Sequence, residues 1–546
     1  MHTIHRRASQ TLLGVALVLT ASGTAWATPP ATSWQPIERA VRQLSLDLRG
    51  NVPEMSDYEL VEGAAELPDA LIDAYLASDD FRLQMRRYHE ALLWTNPSVS
   101  LASVSTALGS VTIDGVQILR LTGRRSLYRG GDGTADCQAK PQAVLGYEAD
   151  GTPKTESFGV VGGNPVRREG YVEIHPYWEA NPATVVKVCA FDAQTTASYS
   201  IASGPDAGTF SCNTLQGVSR SASCGCGPEL RGCTVTAVGN AVLAAFREQL
   251  LRSVDDHTVG GAPYSQLVTT KKAYVNGPLS HFLSHVAHTL PLSSIQSGVQ
   301  PSDGAVPSVP YAAGDTWISY EREAPHAGIL TLPGYLLRYQ TLRGRANRYR
   351  IVFRGQYFEP PSSKDTGCLD VGDDLTLRCV CRGCHTTLEP LAAHFGKFAE
   401  AGSVSMADFP LSFATRAACN AAVAPSLTAF CDRFYAVVPS LEDPDIRTWR
   451  LKPLRYADSA HPEVQPNFEA GPDGLAQSDI KSGLFHEVAV THLFEFLMKR
   501  PPNLDVTSPD YEGETLATIA KDFREQDDLR EAVRALVKLP AYRRLP

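Results

Sequence analysis

The sequence predicts an α+β fold that is mainly helical and carries a disulfide-rich β insertion. Apolar residues recur at helical spacing near both ends of the 546-residue chain. Between about residues 99 and 235, short β-branched runs alternate with Gly, Pro, Asn and Asp, as is typical of strands joined by turns. All 12 cysteines follow the N-terminal segment, and six of them lie in that β-rich region.

Residues 1–27 have the pattern of a secretory signal peptide. Two histidines and two arginines within residues 2–7 precede an apolar run at 11–21, and Ala25-Trp26-Ala27 supplies a cleavage site after Ala27. No later stretch reaches 18 uninterrupted apolar residues, so we expect no membrane span. We therefore expect the protein to be periplasmic or secreted.

Composition narrows the range of partners. The chain is 43% hydrophobic and 20% charged, which is ordinary for a globular protein with a large core. Its formal net charge is −9, which argues against nucleic acid and anionic membrane surfaces as partners.

Residues 28–98 are predicted to form an N-terminal helical domain. Ser56, followed by Glu59 three positions later, suggests a capping box. One helical face carries four residues at i, i+4, i+7 and i+11, which favours packing into a core: Phe81, Met85, Tyr88 and Leu92.

Residues 99–235 are the predicted β-rich insertion. In an oxidising compartment its cysteines are expected to form disulfides, and the stretch CGCGPELRGC (224–233) has no nearby histidine to favour a metal site. Six cysteines allow 15 connectivities, among which the sequence does not choose: Cys137, Cys189, Cys212, Cys224, Cys226 and Cys233.

Residues 236–345 are predicted to form a second helical domain, in which Leu243, Phe246 and Leu250 share a face. Proline-rich residues 296–316 indicate a loop. The stretch LSHFLSHVAHTL places three histidines at i, i+4 and i+7 along one stripe, which could ligate a metal: His281, His285 and His288. No acidic residue completes an H-E-x-x-H motif there.

The segment 346–435 contains Cys381-Arg382-Gly383-Cys384-His385, which has the C-x-x-C-H pattern of covalent haem c attachment. Cys381 and Cys384 would form the thioether bonds, and His385 would be the proximal axial ligand of the iron. A disulfide or a zinc site is the alternative. Zinc would need a second ligand pair at similar spacing, which does not follow His385. The motif therefore favours one covalent haem c.

The remaining ten cysteines form an even set once the haem pair is assigned. Cys379 lies two residues before the first haem cysteine, and we prefer its pairing with Cys368. Cys419 and Cys431 form a second local pair.

The sixth haem ligand has several candidates. Met406 follows His385 by 21 residues in a loop and is the preferred distal ligand. The His281 stripe and His394 are alternatives, as is a position without a protein ligand. His–Met ligation suits electron transfer, whereas an open position suits binding of a substrate or a gas.

The final part of the chain is a predicted loop or linker at 436–480 followed by a C-terminal helical segment at 481–546. Pro501-Pro502 should end the first of its helices, and a final amphipathic stretch runs near 514–537.

Several segments resemble large exported proteins found mainly in planctomycetes and myxobacteria, which are built from conserved domains of unknown function around one cytochrome c motif. The matching segments include RQLSLDLRGNVPEMSDYE (42–59), HAGILTLPGYLLRY (326–339) and CRGCHTTLEPLAAHFGKFAEAG (381–402). The resemblance implies a cytochrome c-like haem segment within a larger helical body, and it links the chain loosely with polysaccharide breakdown.

Three functional classes follow from the sequence. The leading prediction is a periplasmic monohaem c-type cytochrome that exchanges electrons with an unidentified redox partner protein. The second is a haem-dependent oxidoreductase acting on an unidentified substrate, such as a carbohydrate. The third is a haem-free, disulfide-rich secreted binding protein.

Overall fold

The structure is a computed structural model that describes most of the helical body and parts of the insertion. The described residues are 36–94, 96–97, 101, 107–121, 137–142, 156–161, 164–190, 192–193, 198–202, 207–211, 225–287, 306–357, 382–398, 402–403, 405 and 470–543. The predicted signal peptide, Cys381, Met406 and His288 lie outside them.

Thirteen α-helices occur in the described residues. In chain order, α1 to α7 are Ile37–Leu48, Met55–Glu59, Asp69–Leu76, Asp79–Leu93, Thr236–Thr258, Gly277–His281 and Pro333–Arg338. The next six, α8 to α13, are Leu342–Arg354, Arg382–Ala393, Pro472–Ser482, Leu484–Met498, Gly513–Gln526 and Leu529–Val537. A π-helical turn, Phe282–Val286, continues directly from α6.

Ten short strands accompany the helices within the described ranges. They are β1 to β10 at Leu108–Ile113, Val116–Leu121, Glu156–Val161, Asn164–Arg168, Tyr171–Ile174, Val186–Cys189, Ser198–Ile201, Gly208–Ser211, Lys272–Val275 and Ile318–Glu321. A four-stranded sheet has the order β1-β2-β6-β5, and β3–β4, β7–β8 and β9–β10 form separate antiparallel pairs. The α+β prediction, with the strands concentrated in the insertion, is confirmed.

The helical segments from both ends of the chain share one hydrophobic core. It contains Leu44 of α1, Phe81 of α4, Tyr349 of α8, Phe395 just after α9 and Phe494 of α11, all fully or almost fully buried. The long helix α5 packs beside α4. The guanidinium of Arg86 in α4 donates hydrogen bonds to Asp255 and Glu248 in α5. The three predicted helical segments and the predicted haem segment therefore contribute to one core.

Two disulfides are found among the insertion cysteines, for which the sequence predicts disulfides of unspecified connectivity. Cys137 pairs with Cys189 across 52 residues, and Cys226 pairs with Cys233 across seven. The prediction of disulfides rather than a metal site for CGCGPELRGC is confirmed for Cys226 and Cys233. Cys212 and Cys224 lie outside the described residues, as do the predicted pairs Cys368–Cys379 and Cys419–Cys431.

Local signals placed some helix ends incorrectly. Ser56 lies inside α2, and the capping box is formed by Glu54 and Asp57 instead. The predicted linker 436–480 is helical from Pro472 onwards. Pro472 occupies the first turn, where a residue without an N–H costs the helix no hydrogen bond. The final stretch divides at Asp527, which adopts a left-handed conformation. In addition, α8 crosses the predicted boundary at residues 345/346.

Across the ranges given above, no helix is both long and apolar enough to cross a bilayer.

Candidate functional site

The helix α9 carries the C-terminal half of the C-x-x-C-H motif and is docked onto the core by one face. Leu388, Leu391 and Ala392 are buried, and Phe395, just beyond the helix end, is fully buried. This face packs against α8. The helix is therefore held in a fixed place by apolar contacts along its C-terminal two-thirds.

Cys384 and His385 lie in the first turn of α9, because the helix begins at Arg382. They stand one turn before Leu388 and continue its stripe, since residues three and four positions apart share a helical face. Both side chains are half-buried, unlike the residues that follow them on the stripe. The stripe is therefore buried along the later turns of α9 and partly exposed in its first turn, which carries the motif.

The thiol of Cys384 is available for reaction. Among the described cysteines, Cys384 is the one outside a disulfide. Its backbone carbonyl accepts a hydrogen bond of 3.0 Å from the Thr387 hydroxyl, which stabilises this first turn. A free thiol and an imidazole therefore stand at consecutive positions of this turn. Cys381 lies just before the described part of the helix.

Arg345 anchors the chain that follows α9. Its side chain is fully buried, and its guanidinium donates hydrogen bonds to four backbone carbonyls: those of Leu336 (3.2 Å), Tyr339 (3.0 Å), Phe398 (2.8 Å) and Gly402 (3.0 Å). Hydrogen bonds from a charged donor are stronger than those between neutral groups. Arg345 thus ties the residues after the haem motif to α7 and α8.

The end of α9 is also held by the start of α10. His394, which is 6% exposed, donates from Nδ1 to the carbonyl oxygen of Gly471 at 3.1 Å. Gly471 has a φ of +69°, which a residue with a side chain rarely adopts. His394 directly follows the last residue of α9 and is part of the packing between α9 and α10. His385 lies in the first turn of α9, at the opposite end of the helix.

The chain before Met406 is fixed at the same far end. Ser405 is fully buried and forms an isolated antiparallel bridge with Phe398. Met406 itself lies outside the described residues, so its assignment as the distal ligand stays a prediction.

Two members of the predicted histidine stripe are adjacent. The rings of His281 and His285 have centroids 5.0 Å apart, as expected for positions i and i+4. His281 packs on Tyr177 of the insertion, and its neighbour Phe282 belongs to a cluster separate from the core that holds α9. The segment that carries the pair therefore packs into a different cluster from α9.

The sequence interpretation missed Arg345. The signal was available, because Arg345 lies four and seven positions before the buried Tyr349 and Val352 and so belongs to the buried stripe of α8. A run of five arginines in this helix, however, suggests an exposed face. The carbonyl partners on Phe398 and Gly402 come from chain more than 50 residues away, and no local pattern indicates them.

Comparison with known proteins adds no relative. No protein-family model, curated protein or solved structure matches the chain.

Proposed function

We propose that this protein is a periplasmic monohaem c-type cytochrome that transfers electrons to or from a redox partner protein. The observation that carries the proposal is the pairing of a reduced Cys384 with His385 at the half-buried first turn of a helix docked firmly on the core. The C-x-x-C-H pattern gives these residues their chemistry.

Each residue of the motif has one role. Cys381 and Cys384 would hold the porphyrin through thioether bonds, and His385 would ligate the iron as the proximal ligand. When bound, haem c supplies a one-electron redox centre. The chain fixes the position of that centre through the apolar face of α9 and limits movement of the following segment through Arg345.

Export to the periplasm is part of the proposal. The signal-like residues 1–27 and the two described disulfides support it, because disulfides persist mainly in oxidising compartments. The haem-attachment machinery of bacteria acts in the same compartment, so the motif and the predicted signal agree.

Covalent haem after maturation tests the proposal. The mature protein is produced with cytochrome c maturation machinery and assayed for haem that survives denaturation. Cys384→Ser is expected to carry much less than one covalent haem per chain. Thr387→Ala, one helical turn away and exposed, is the matched control and should keep it. Equal covalent haem in both variants would contradict the assignment, and haem-free wild-type protein would favour the disulfide-rich binding protein.

A haem-dependent oxidoreductase is the second candidate function, and it requires an open sixth position on the iron. If Met406 does not reach the iron, the sixth position is open to a substrate or a gas. Carbon monoxide added to the reduced protein distinguishes the two functions. A wild-type spectrum that ignores carbon monoxide, combined with a Met406→Leu spectrum that responds to it, would establish Met406 ligation and electron transfer. A responsive wild type would favour the oxidoreductase.

A further inference from the structure

A cavity separates the β insertion from the helical body at α6. Its volume is about 280 Å³. His175, Tyr177 and Glu229 line it from the insertion, and His281, His285 and Tyr311 line it from the other side. It shares no residue with α9 and is distinct from the proposed haem site.

His281 is the unusual residue of this cavity. The residue is only 8% exposed, and the backbone of Arg231 is its one protein hydrogen-bonding neighbour, at a geometry poorer than that of an ordinary hydrogen bond. Buried polar groups are nearly always hydrogen-bonded, and one that is not lowers stability unless a ligand or an ion satisfies it. The second ring nitrogen of His281 therefore points to a ligand that enters the cavity.

The orientation of the His281 imidazole is fixed by its neighbour. The ring of Tyr177 stacks on His281 at 3.5 Å and 14°, which fixes the plane of the imidazole.

The geometry of the histidine pair suits a shared ion. Two imidazoles that coordinate one ion at about 2.0–2.1 Å with a near-tetrahedral angle have ring centres about 5 Å apart. The observed separation is 5.0 Å. Histidines at i and i+4 are also the ligand pair of helical zinc motifs. His285 belongs to the π-helical turn Phe282–Val286, which begins directly after His281, and such turns are frequent at functional sites.

We propose that His281 and His285 bind one first-row transition-metal ion of the Zn²⁺, Cu²⁺ or Ni²⁺ class, leaving its other coordination positions to water or a small external ligand. Imidazole nitrogen favours these metals over Mg²⁺ and Ca²⁺. Two protein ligands are proposed because no group of three His, Cys, Asp or Glu side chains within the described ranges could hold a metal ion.

The charged groups around the pair leave room for a cation. Arg231 faces the cavity but is ion-paired with Glu229, so the two side chains largely offset each other's charge. His175 already donates from Nδ1 to the carbonyl of Thr184 at 2.8 Å. That bond leaves Nε2 as its acceptor nitrogen, as in many histidines beside metals. The proposal does not depend on haem.

Metal binding by tag-free mature protein tests the proposal. Equilibrium dialysis against Zn²⁺, Cu²⁺ or Ni²⁺ at micromolar concentrations should give one added ion per chain for at least one of the three. His281→Phe and His285→Ala should each weaken that binding by at least about 10-fold, since even changes outside the ligand set cause losses of that size. Ser284→Ala is the matched control, because Ser284 lines the same cavity between the two histidines and supplies no imidazole.

Thermal unfolding separates a ligand from a structural histidine. If the second ring nitrogen of His281 lacks a protein partner, metal-free His281→Phe should unfold at the same temperature as the wild type or higher. Added metal should then raise the unfolding temperature of the wild type and leave that of the variant unchanged. Absence of binding by the wild type, or wild-type affinity in both histidine variants, would overturn the proposal. Lower stability of metal-free His281→Phe would contradict the unpartnered ring nitrogen on which it rests.

Discussion

Replacement of Arg345 should release the chain that follows the haem motif. The Arg345→Met change removes four hydrogen bonds of 2.8–3.2 Å to buried carbonyls, two of them on Phe398 and Gly402. Each such bond to a charged group contributes about 1.5–3 kcal/mol. Removal of the buried charge offsets part of that sum. We therefore expect a loss of about 3–5 kcal/mol, the range for a broken buried charge network.

The matched control is Arg350→Met on the same helix. Arg350 is also buried, at 6% exposure, but its side-chain hydrogen bond to Asn347, of 3.0 Å, is local to the helix. That single bond contributes about 1.5–3 kcal/mol, against four such bonds for Arg345. The two variants therefore differ mainly in whether they free the segment after α9.

Native-state hydrogen exchange measures the effect where it should occur. A local loss of 3 kcal/mol corresponds to a fall of about 100-fold in amide protection, since each tenfold change equals about 1.4 kcal/mol. The amide of Phe398, which donates to the carbonyl of Phe395 at 2.9 Å, is the reporter. Equal protection of this amide in Arg345→Met and Arg350→Met would refute the anchoring role.

Three further predictions concern stability. Burial lowers the pKa of His89 to about 4, and the hydrogen bond that its ring donates to the Met85 carbonyl opposes this only in part. Because the unfolded chain then binds the proton more tightly, the free energy of unfolding should be at its full value above about pH 6.5 and fall by about 3 kcal/mol towards pH 4. Urea midpoints measured across that range should show a smaller decline for His89→Gln, and an equal decline would assign the effect to other groups. Loss of the Cys137–Cys189 disulfide, which spans 52 residues, should destabilise the insertion by about 4 kcal/mol in urea unfolding, unless the reduced chain retains structure. Asp479→Asn should cost about 3 kcal/mol, because the buried carboxylate accepts two hydrogen bonds of 2.7 and 2.9 Å from Arg354; a double-mutant cycle with Arg354→Met that gives no coupling would contradict this.

The sequence predicted best where a local pattern determines the structure. The face of α4 is buried at Phe81, Met85 and Tyr88 as its periodicity required, because a helix must hide its apolar stripe. At the end of that stripe Leu93 is buried and Leu92 only partly so, since the helix stops there with Trp94 in a left-handed conformation. Periodicity defines a face well and the last turn of a helix poorly.

The sequence failed where the partner is distant in the chain. Asp47 near the start of the described chain accepts a hydrogen bond of 2.9 Å from Tyr542 near its end, and neither residue carries a local sign of that contact. The joining of the helical segments into one core and the anchoring by Arg345 have the same origin. The C-x-x-C-H motif was recognisable because its chemistry depends on spacing alone.

Peptide mapping of the mature protein by tandem mass spectrometry tests the central claim most directly. The proposal of one covalent haem predicts a single haem-bearing peptide that contains Cys381, Cys384 and His385, with Cys226 and Cys233 found together as a disulfide. A peptide in which Cys381 and Cys384 are joined to each other or to other cysteines, without haem, would contradict the claim and identify a disulfide-stabilised secreted protein.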